Sequence, residues 1–463
     1  MNTRGEQDSL GSVDVPKDAY YGAQTRRAEL NFPVSHRRFP PLFIITLARI
    51  KRMAAEVNRD LGLLASEPAA AIITAASEIV AGEHLDQFVV DVFQTGSGTS
   101  TNMNMNEVIA GRANELLTGR RGGRSPVHPN DHVNLGQSSN DVIPSTIHLA
   151  ALTALQSRLL PALRHLHAVL DGKSAEFAEV RKIGRTHLQD AVPLTLGQEF
   201  GGYARQVALG IERIERCRPN LAELALGGTA VGSGLNAHAQ FAPRVIARLA
   251  VETGCPLREA ENHFAAQAAQ DAAVETSGAL KTVAVSLMKI ANDIRWLGSG
   301  PRCGLGELKL PALQPGSSIM PGKVNPVIPE VVVQVAAQVL GNDLSIALGA
   351  QWGFFELNTM LPLIAHNLLE SIQILGNAAT LLADRCLVGL EADRDRCAAM
   401  IERSLAMATH LVPVIGYDRA AELAKEAYRS GRTVRETALA EGVISAGEAE
   451  RLLGPVAAPR RGG

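Results

Sequence analysis

The sequence predicts an all-α protein, with a long central bundle of helices and smaller helical regions at its N- and C-terminal ends. Three observations predict this fold class. Hydrophobic residues make up 46% of the 463 residues and aromatic residues only 4%, so Ala, Leu, Val and Ile fill the interior, which favours closely packed helices. Several long segments contain little internal Gly or Pro and repeat apolar residues at helical spacing. Some of these segments are apolar on more than one face, as the central helices of a bundle are.

The predicted helices fall into three groups along the chain. The first part alternates loops with short helices, which span Leu42–Leu61, Ala69–Ala81 and Asn106–Leu117. After Asn140 the predicted helices are long, and they span Asp141–Leu170, Leu196–Arg218, Ala269–Leu297, Pro329–Leu348 and Leu357–Leu382. Shorter helices with charged faces begin near Glu391, and Ala457–Gly463 has the composition of a frayed tail. We therefore predict an N-terminal domain over residues 1–139, a central long-helix bundle domain over 140–390 and a small C-terminal domain over 391–463.

The composition argues against several classes of function. The formal net charge is −2 and the two signs are interleaved, so the sequence predicts no nucleic-acid partner. The sequence contains no run of about 20 apolar residues, so it predicts no membrane span. The five cysteines are scattered and form no zinc set, which favours reduced thiols. The polar segment Met1–Asp8 is unlike a secretory or transit peptide. We therefore expect a cytoplasmic protein that needs no cofactor.

The most informative segment covers residues 316–326, Gly-Ser-Ser-Ile-Met-Pro-Gly-Lys-Val-Asn-Pro. Its Pro and Gly residues forbid a continuous helix or strand and predict a loop. The loop carries hydrogen-bond donors and a single cation, and no carboxylate: Ser317, Ser318, Lys323 and Asn325. Such a set suits a small anion such as a carboxylate, although a solvated connection between helices would have a similar composition.

The segment Gln94–Glu107 is also unusually polar. Its glycines allow a ligand to approach the backbone, Ser97 and Thr99 supply hydroxyls, and a helix is predicted to start near Asn104–Asn106. A helix N-terminus behind a hydroxyl-rich turn attracts anions. A capping loop built from Asn and Thr is the alternative interpretation.

A third polar segment precedes the first long helix and contains Ser138, Ser139 and Asn140. Helix capping explains one of these residues but does not need all three. Upstream, His128 and His132 are four residues apart, but Pro129 lies between them and no third ligand has the spacing of a metal motif. We therefore predict no metal site.

The fourth segment, Gly184–Gly197, carries Thr186 and His187 in a non-helical approach to a long helix. A lone His is usually structural, but imidazole is also the side chain best suited to proton transfer near neutral pH. Together, the four segments supply hydroxyls, amides, one Lys and one His. This set fits a dicarboxylate substrate and proton abstraction beside a carboxylate, a reaction that preorganised donors stabilise.

With these residues in view, the sequence resembles the fumarase/aspartase superfamily, and within it class II fumarate hydratase. The resemblance runs from Arg4–Gly11 through Tyr21–Thr25 to Ile415–Asp418, and its signature is Gly316–Pro326. It implies an α-helical homotetramer with a central bundle of long helices and active sites built from three subunits.

The resemblance also implies the role of each site residue. Ser317 is the base that removes the C3 proton of malate, His187 handles water, and Glu330 orients His187. The substrate-binding residues implied are Ser97, Gly98, Thr99, Ser138, Ser139, Asn140, Thr186, Ser318, Lys323, Val324 and Asn325. A second anion site is implied at His128, Pro129, Asn130 and Asp131. Only the resemblance selects Ser317 over Ser318 as the base.

Two activities within the superfamily compete. Ser138–Asn140, Gly322 before Lys323 and Phe355–Asn358 are fumarase-like, whereas Tyr20–Tyr21 and Val327–Val331 are aspartase-like. The residues nearest the substrate favour fumarate hydratase, a lyase that interconverts fumarate and (S)-malate in the tricarboxylic acid cycle. Aspartate ammonia-lyase is the alternative. A third interpretation, a helical scaffold of the crystallin type, is disfavoured because Ser317, Lys323 and His187 are all present.

Overall fold

The structure, a computed structural model, describes residues 2–454. It is 62% helical, which confirms the predicted all-α fold class. Within the described residues the α-helices are α1 Ala23–Asn31, α2 Pro41–Asp60, α3 Ser66–Val80, α4 Thr99–Thr118, α5 Ser139–Ala154, α6 Leu160–Glu176, α7 Leu196–Leu221, α8 Phe241–Thr253, α9 His263–Ala268, α10 Asp271–Leu297, α11 Val327–Ala350, α12 Leu361–Leu382, α13 Arg394–Arg403, α14 Val412–Ile415, α15 Tyr417–Ser430, α16 Val434–Ala440 and α17 Ala446–Leu453.

The strands are short and pair only in twos. They are β1 Thr3–Asp8, β2 Gly11–Pro16, β3 Arg181–Thr186, β4 Gln189–Thr195, β5 Glu223–Leu224, β6 Arg258–Glu259, β7 Leu308–Lys309, β8 Gly353–Phe354, β9 Leu357–Asn358 and β10 Glu391–Ala392. The sheets are the antiparallel pairs β1–β2, β3–β4, β8–β9 and β7–β10 and the parallel pair β5–β6. None of these strands was predicted from the sequence.

The predicted helices are all present, and most boundaries agree within a few residues. The predicted helix Asp141–Leu170 is α5 and α6, joined without a break by a π-helical turn at Leu155–Leu159. The predicted helix Leu357–Leu382 begins later, at Leu361, because β8 and β9 form a small hairpin before it.

The start of α4 is the clearest boundary error. The sequence predicted a start near Asn104–Asn106, but the helix begins at Thr99, after Gly98 in the left-handed region at φ +73°. Asn and Thr have weak helix propensity. Here tertiary contacts outweigh propensity, because Asn102, Asn104 and Asn106 are buried and hydrogen-bonded to other segments.

The described residues form two compact units, each assembled from three separate stretches of chain. Unit 1 contains Met1–Pro161, Ile211–Ala284 and Ala336–Gly376, and unit 2 contains Ala162–Gly210, Val285–Val335 and Asn377–Gly463. The boundaries fall within or beside long helices. The three-part division of the sequence at residues 139 and 390 stays a prediction, and the predicted tail Ala457–Gly463 lies outside the described residues.

Helix α11 is unusually apolar. Among residues 2–454 it is the one helix that is long and apolar enough to cross a membrane by length and composition, a test that core helices also pass. The helix is not an uninterrupted apolar run, since Glu330, Asn342 and Asp343 lie within it. Val331, Leu344 and Leu348 of this helix are exposed in the isolated chain.

Candidate active site

Two helix N-termini in unit 1 carry the predicted hydroxyl groups. Thr99 is the first residue of α4, and Ser139 is the first residue of α5. Ser138 is the N-cap of α5, and its hydroxyl accepts a hydrogen bond from the Asn140 backbone N–H. Capping therefore uses one of the three polar residues at the start of α5, as predicted. Both N-termini favour negative charge, since their first N–H groups lack partners within the helix.

The hydroxyls form a continuous chain. Ser97 Oγ lies 2.8 Å from Thr99 Oγ1, which lies 2.7 Å from Ser139 Oγ. Ser97 and Ser139 are buried, and Asn140 Nδ2 donates to the Ala230 carbonyl at 2.8 Å. The structure therefore brings the predicted residues of segments 94–107 and 138–140 together into one donor-rich surface.

The carboxylate of Asp141 anchors this surface from behind. It is fully buried and accepts the backbone N–H groups of Ser138, Gly227 and Thr229 at 2.9, 3.1 and 3.0 Å. Burial raises the pKa of Asp141, and the three N–H donors oppose that rise. Asp141 thus fixes the cap of α5 against the loop at 227–229.

The predicted second anion segment forms a π-helical turn at Pro129–Val133. His128 Nδ1 accepts the backbone N–H groups of Asn130 and Asp131 at 3.2 and 3.1 Å, so that nitrogen is not free for a metal. Burial and the nearby Arg124 lower the pKa of His128, which keeps the ring neutral near pH 7. Arg124, the cation beside this segment, was not identified from the sequence.

The loop at 316–326, in unit 2, is irregular, as predicted. It closes on itself, since the Gly316 N–H donates to the Lys323 carbonyl at 2.7 Å and Asn325 Nδ2 donates to the Gly316 carbonyl at 2.7 Å. A Cβ on Gly316 would lie 2.8 Å from both the Asn325 N and the Lys323 O. Only glycine fits this close approach.

Within the loop, Ser317 and Ser318 differ in their contacts. Ser317 Oγ accepts the backbone N–H groups of Ile319 and Met320, at 3.2 and 3.0 Å. Among the described residues, no hydrogen bond to the Ser318 hydroxyl is found. Two converging N–H donors stabilise negative charge on an oxygen, so Ser317 is the better placed of the two to carry an alkoxide.

A cavity of about 670 Å³ lies beside this loop within unit 2. Four of the predicted residues line it, namely Lys323, Val324, Asn325 and Glu330, together with Arg295 and Trp296 of α10. Glu330 lies in the first turn of α11. Among the residues that the structure describes, no hydrogen bond joins Glu330 to His187.

Thr186 and His187 lie at the tip of the β3–β4 hairpin, non-helical as predicted. Thr186 pairs with Gln189, which leaves His187 and Leu188 as a two-residue turn with φ values of +55° and +59°. Such turns normally use Asn or Gly, and a Leu in this region is strained. All three of Thr186, His187 and Leu188 are exposed in the isolated chain. Strain of this kind concentrates at functional sites.

A buried ion-pair network, which the sequence analysis missed, holds the base of this hairpin. Arg185 donates from Nη1 and Nη2 to the two carboxylate oxygens of Glu307, both at 3.1 Å. Lys182 Nζ lies 3.3 Å from Glu307 and 3.0 Å from Glu199. Glu307 is fully buried. Lys182 and Arg185 are three residues apart and would point to opposite faces of a regular strand, but a register shift between Ile183 and Arg185 lets both reach Glu307. Nothing local in the sequence identifies Glu307.

One cluster within residues 2–454 could present three metal ligands, at Glu78, Glu83 and His84. Arg112 already donates to both carboxylate oxygens of Glu78, at 2.8 and 2.9 Å. His84 also contacts Glu78, at 3.0 Å. These contacts give the cluster a structural role and leave Glu78 little capacity for a metal.

Comparisons with known proteins place these features in a family. Residues 11–341 match the family described as Lyase, and residues 407–457 match the family Fumarase C C-terminus. The class II fumarate hydratase of Thermosynechococcus vestitus is 57% identical, over 97% of this chain and 96% of its own. That of Nitrosomonas europaea is 55% identical, over 96% of each chain.

Solved structures agree with this assignment. The crystal structure of class II fumarase from Schistosoma mansoni superposes with a TM-score of 0.94 and 42% identity, covering 98% of each chain. That of a fumarate lyase:delta crystallin from Brucella melitensis bound to cobalt superposes with a TM-score of 0.93 and 50% identity, over 98% of each chain. The chain therefore belongs to the class II fumarate hydratase family of lyases.

Proposed function

We propose that this chain catalyses the reversible hydration of fumarate to (S)-malate, with Ser317 as the base. The observation that carries the proposal is the pair of backbone N–H groups that converge on Ser317 Oγ. A hydroxyl is a poor base unless its alkoxide is stabilised, and these donors, with Lys323 in the same loop, supply that stabilisation.

In the dehydration direction, the Ser317 alkoxide takes the proton from C3 of malate. The electron pair left behind spreads onto the adjacent carboxylate, which becomes more negative in the transition state. Donors fixed in advance stabilise such a charge most effectively. Lys323 and Asn325 are the candidates, because the closed loop holds both next to Ser317.

His187 is proposed to protonate the departing hydroxyl, so that it leaves as water, and to activate water in the reverse direction. Its turn conformation presents the ring at the tip of a hairpin whose base is held by buried ion pairs. Glu330 is proposed to orient His187 in the assembled protein. Such an orienting carboxylate fixes the tautomer of an imidazole that transfers protons.

The remaining predicted residues are proposed to bind the substrate carboxylates. Ser97, Gly98, Thr99 and Ser138–Asn140 form a neutral donor surface at two helix N-termini, with Thr186, Ser318 and Val324 completing the set. His128–Asp131 are proposed as a second anion site, next to the cation of Arg124.

We further propose that the chain works as a homotetramer in the cytoplasm, with active sites shared between subunits. Helix α11 supports self-association, since Leu344 is 61% and Leu348 52% exposed in the isolated chain. Contiguous exposed apolar surface of this kind is typical of an interface. The division into domains 1–139, 140–390 and 391–463 is retained as part of this proposal.

The substrate is tested by incubating the purified protein with fumarate, with and without ammonium, and identifying the product by NMR. We expect malate in both cases, and deamination of aspartate slower by at least about tenfold in kcat/KM, or about 1.4 kcal/mol. A difference of one methyl group in a pocket discriminates between two substrates by only about 1–3 kcal/mol. A weak activity on aspartate is therefore compatible with this proposal. A kcat/KM for aspartate that equals or exceeds that for malate would establish the aspartate ammonia-lyase alternative.

A further inference from the structure

A buried polar cluster lies in unit 1, outside the residues assigned above. We call it the asparagine hub and define it as Lys51, Asn102, Asn106 and Asn134. Asn134 Oδ1 accepts hydrogen bonds from Lys51 Nζ at 2.9 Å, Asn102 Nδ2 at 3.2 Å and Asn106 Nδ2 at 3.1 Å. A carbonyl oxygen has two lone pairs, so three donors on one oxygen exceed the number that it normally accepts.

The hub costs more free energy of folding than an apolar core of the same size would. Lys51 and Asn106 are fully buried and Asn102 is nearly so, whereas Asn134 is partly buried. The Oδ1 atoms of Asn102 and Asn106 are buried without a partner among the described residues, and an unpaired buried polar atom costs about 1–3 kcal/mol. Apolar residues of similar volume are often as stable as a buried polar network. Packing alone therefore does not account for the hub.

What the hub joins suggests its role. Asn102 and Asn106 lie on α4, just after Thr99. Asn134 lies in the segment that leads into α5, where its Nδ2 donates to the Gln137 carbonyl at 3.0 Å, one residue before Ser138. The hub thus ties the start of α4 to the start of α5.

The same two helix starts carry the hydroxyl chain. The Thr99–Ser139 contact of 2.7 Å is the only link in that chain that crosses from α4 to α5 among the described residues. Its length depends on the spacing of the two N-termini. The contacts of Asn134 with Asn102 and Asn106 set that spacing, whereas Asp141 fixes the cap of α5 against the loop at 227–229. A shift of about 1 Å in such a contact is enough to change binding and turnover.

We propose that Lys51 and Asn134 are positioning residues for the substrate, which set the spacing of the Thr99 and Ser139 hydroxyls through the asparagine hub. The inference rests on the proposed function, because it assumes that these hydroxyls bind a substrate carboxylate. Lys51 orients the Asn134 carbonyl, and Asn134 holds α4 and the cap of α5 together. Neither residue contacts the substrate.

The test uses Asn134→Leu, which keeps a branched side chain but removes both the acceptor oxygen and the donor to Gln137, and Lys51→Met. Asn104→Ala is the matched control. Asn104 is also buried on α4, but it contacts Gln87 and Val89 instead of the hub. Steady-state hydration of fumarate gives kcat and KM, calorimetry with succinate gives a binding constant without turnover, and thermal unfolding gives stability.

We expect Asn134→Leu and Lys51→Met to raise KM and the succinate Kd by about tenfold, or about 1.4 kcal/mol, with a smaller change in kcat. This is the pattern for lost carboxylate anchoring. Asn104→Ala should lower the unfolding temperature with KM unchanged. If Asn134→Leu does not fold, Asn102→Ala, which removes one donor of three, should raise KM by about threefold.

Two results would overturn the inference. One is an unchanged KM and succinate Kd in folded hub variants. The other is an equal rise in KM for Asn104→Ala, which would show a general loosening of α4. Failure of the proposed function is distinguishable, because the wild-type protein itself would then not hydrate fumarate.

Discussion

The substitution Glu307→Gln tests whether the buried ion pairs of unit 2 support the hairpin that carries His187. Glu307 is fully buried and pairs with Arg185 through both carboxylate oxygens. It also lies 3.3 Å from Lys182, whose side chain is 1% exposed. Gln keeps the shape and one acceptor oxygen but removes the negative charge from between two cations.

The size of the loss in the free energy of unfolding depends on the partners that Lys182 and Arg185 keep after the substitution. Removing one partner of a buried ion pair costs about 3–5 kcal/mol, because an uncompensated charge stays buried. Lys182 retains Glu199 at 3.0 Å, and Arg185 can still donate to the Gln oxygen. We therefore expect the lower end of that range, a loss of about 3 kcal/mol in the free energy of unfolding.

The hairpin should also become less well held. Ile183 of β3 packs into a buried apolar cluster with Leu411 and Leu423, so the strand stays in place while its Arg185 end loosens. The His187 turn has positive φ at two non-glycine residues and depends on this support. We expect kcat for fumarate hydration to fall by about tenfold, or about 1.4 kcal/mol, while KM changes less.

Urea unfolding followed by circular dichroism measures the stability, and steady-state kinetics measure kcat. Glu422→Gln is the control, because Glu422 pairs with Arg419 at the surface, with side chains 66% and 44% exposed, and exposed pairs contribute about 0–1 kcal/mol. A loss for Glu307→Gln no larger than for Glu422→Gln would refute the reasoning about burial. Loss of stability with kcat unchanged would refute the link to His187.

Three further predictions concern single residues. Lys323→Ala should lower kcat/KM by about 10²–10³-fold with little change in stability, since Lys323 is exposed in its loop; near-normal kcat/KM in the folded variant would remove it from the site. Ser317→Ala should reduce kcat far more than Ser318→Ala, with succinate binding retained in Ser317→Ala, and the reverse order would place the base at Ser318. Burial lowers the pKa of Lys51 to about 7 from 10.5, so the unfolded chain binds this proton more tightly. Stability should therefore rise between about pH 7 and pH 9.5 relative to Lys51→Met, by up to about 1.4 kcal/mol per pH unit, and a pH-independent difference in urea unfolding would contradict this.

Features that depend on local chemistry were predictable from the sequence. The loop at 316–326 was predicted because Pro and Gly act on their own backbone and that of their neighbours. The long helices were predicted because apolar residues repeat at helical spacing along them. The cap at Ser138 followed from a local preference too, and the structure shows its capping box with Asp141.

Features that depend on distant partners were not predictable. The His187–Leu188 turn lacks the Asn or Gly that marks a tight hairpin. The ion pair beside it joins Arg185 of the hairpin to Glu307, which is 122 residues away in the sequence. The start of α4 was misplaced for the same reason. Its asparagines are poor helix formers whose hydrogen-bond partners lie elsewhere in the fold.

The charges of the two units have a common arrangement. Fully buried charged groups, such as Asp141 and Glu307, contact backbone or ions next to candidate site residues, at Ser138 and at Arg185. The proposed substrate-binding residues are neutral except for Lys323. A surface of neutral donors binds a dicarboxylate without holding its ground state too tightly, and only interactions that strengthen in the transition state accelerate the reaction. For a reaction that must run in both directions, fixed neutral donors backed by buried charge are better suited than a cluster of cations, which would bind fumarate and malate equally strongly and lower KM without raising kcat.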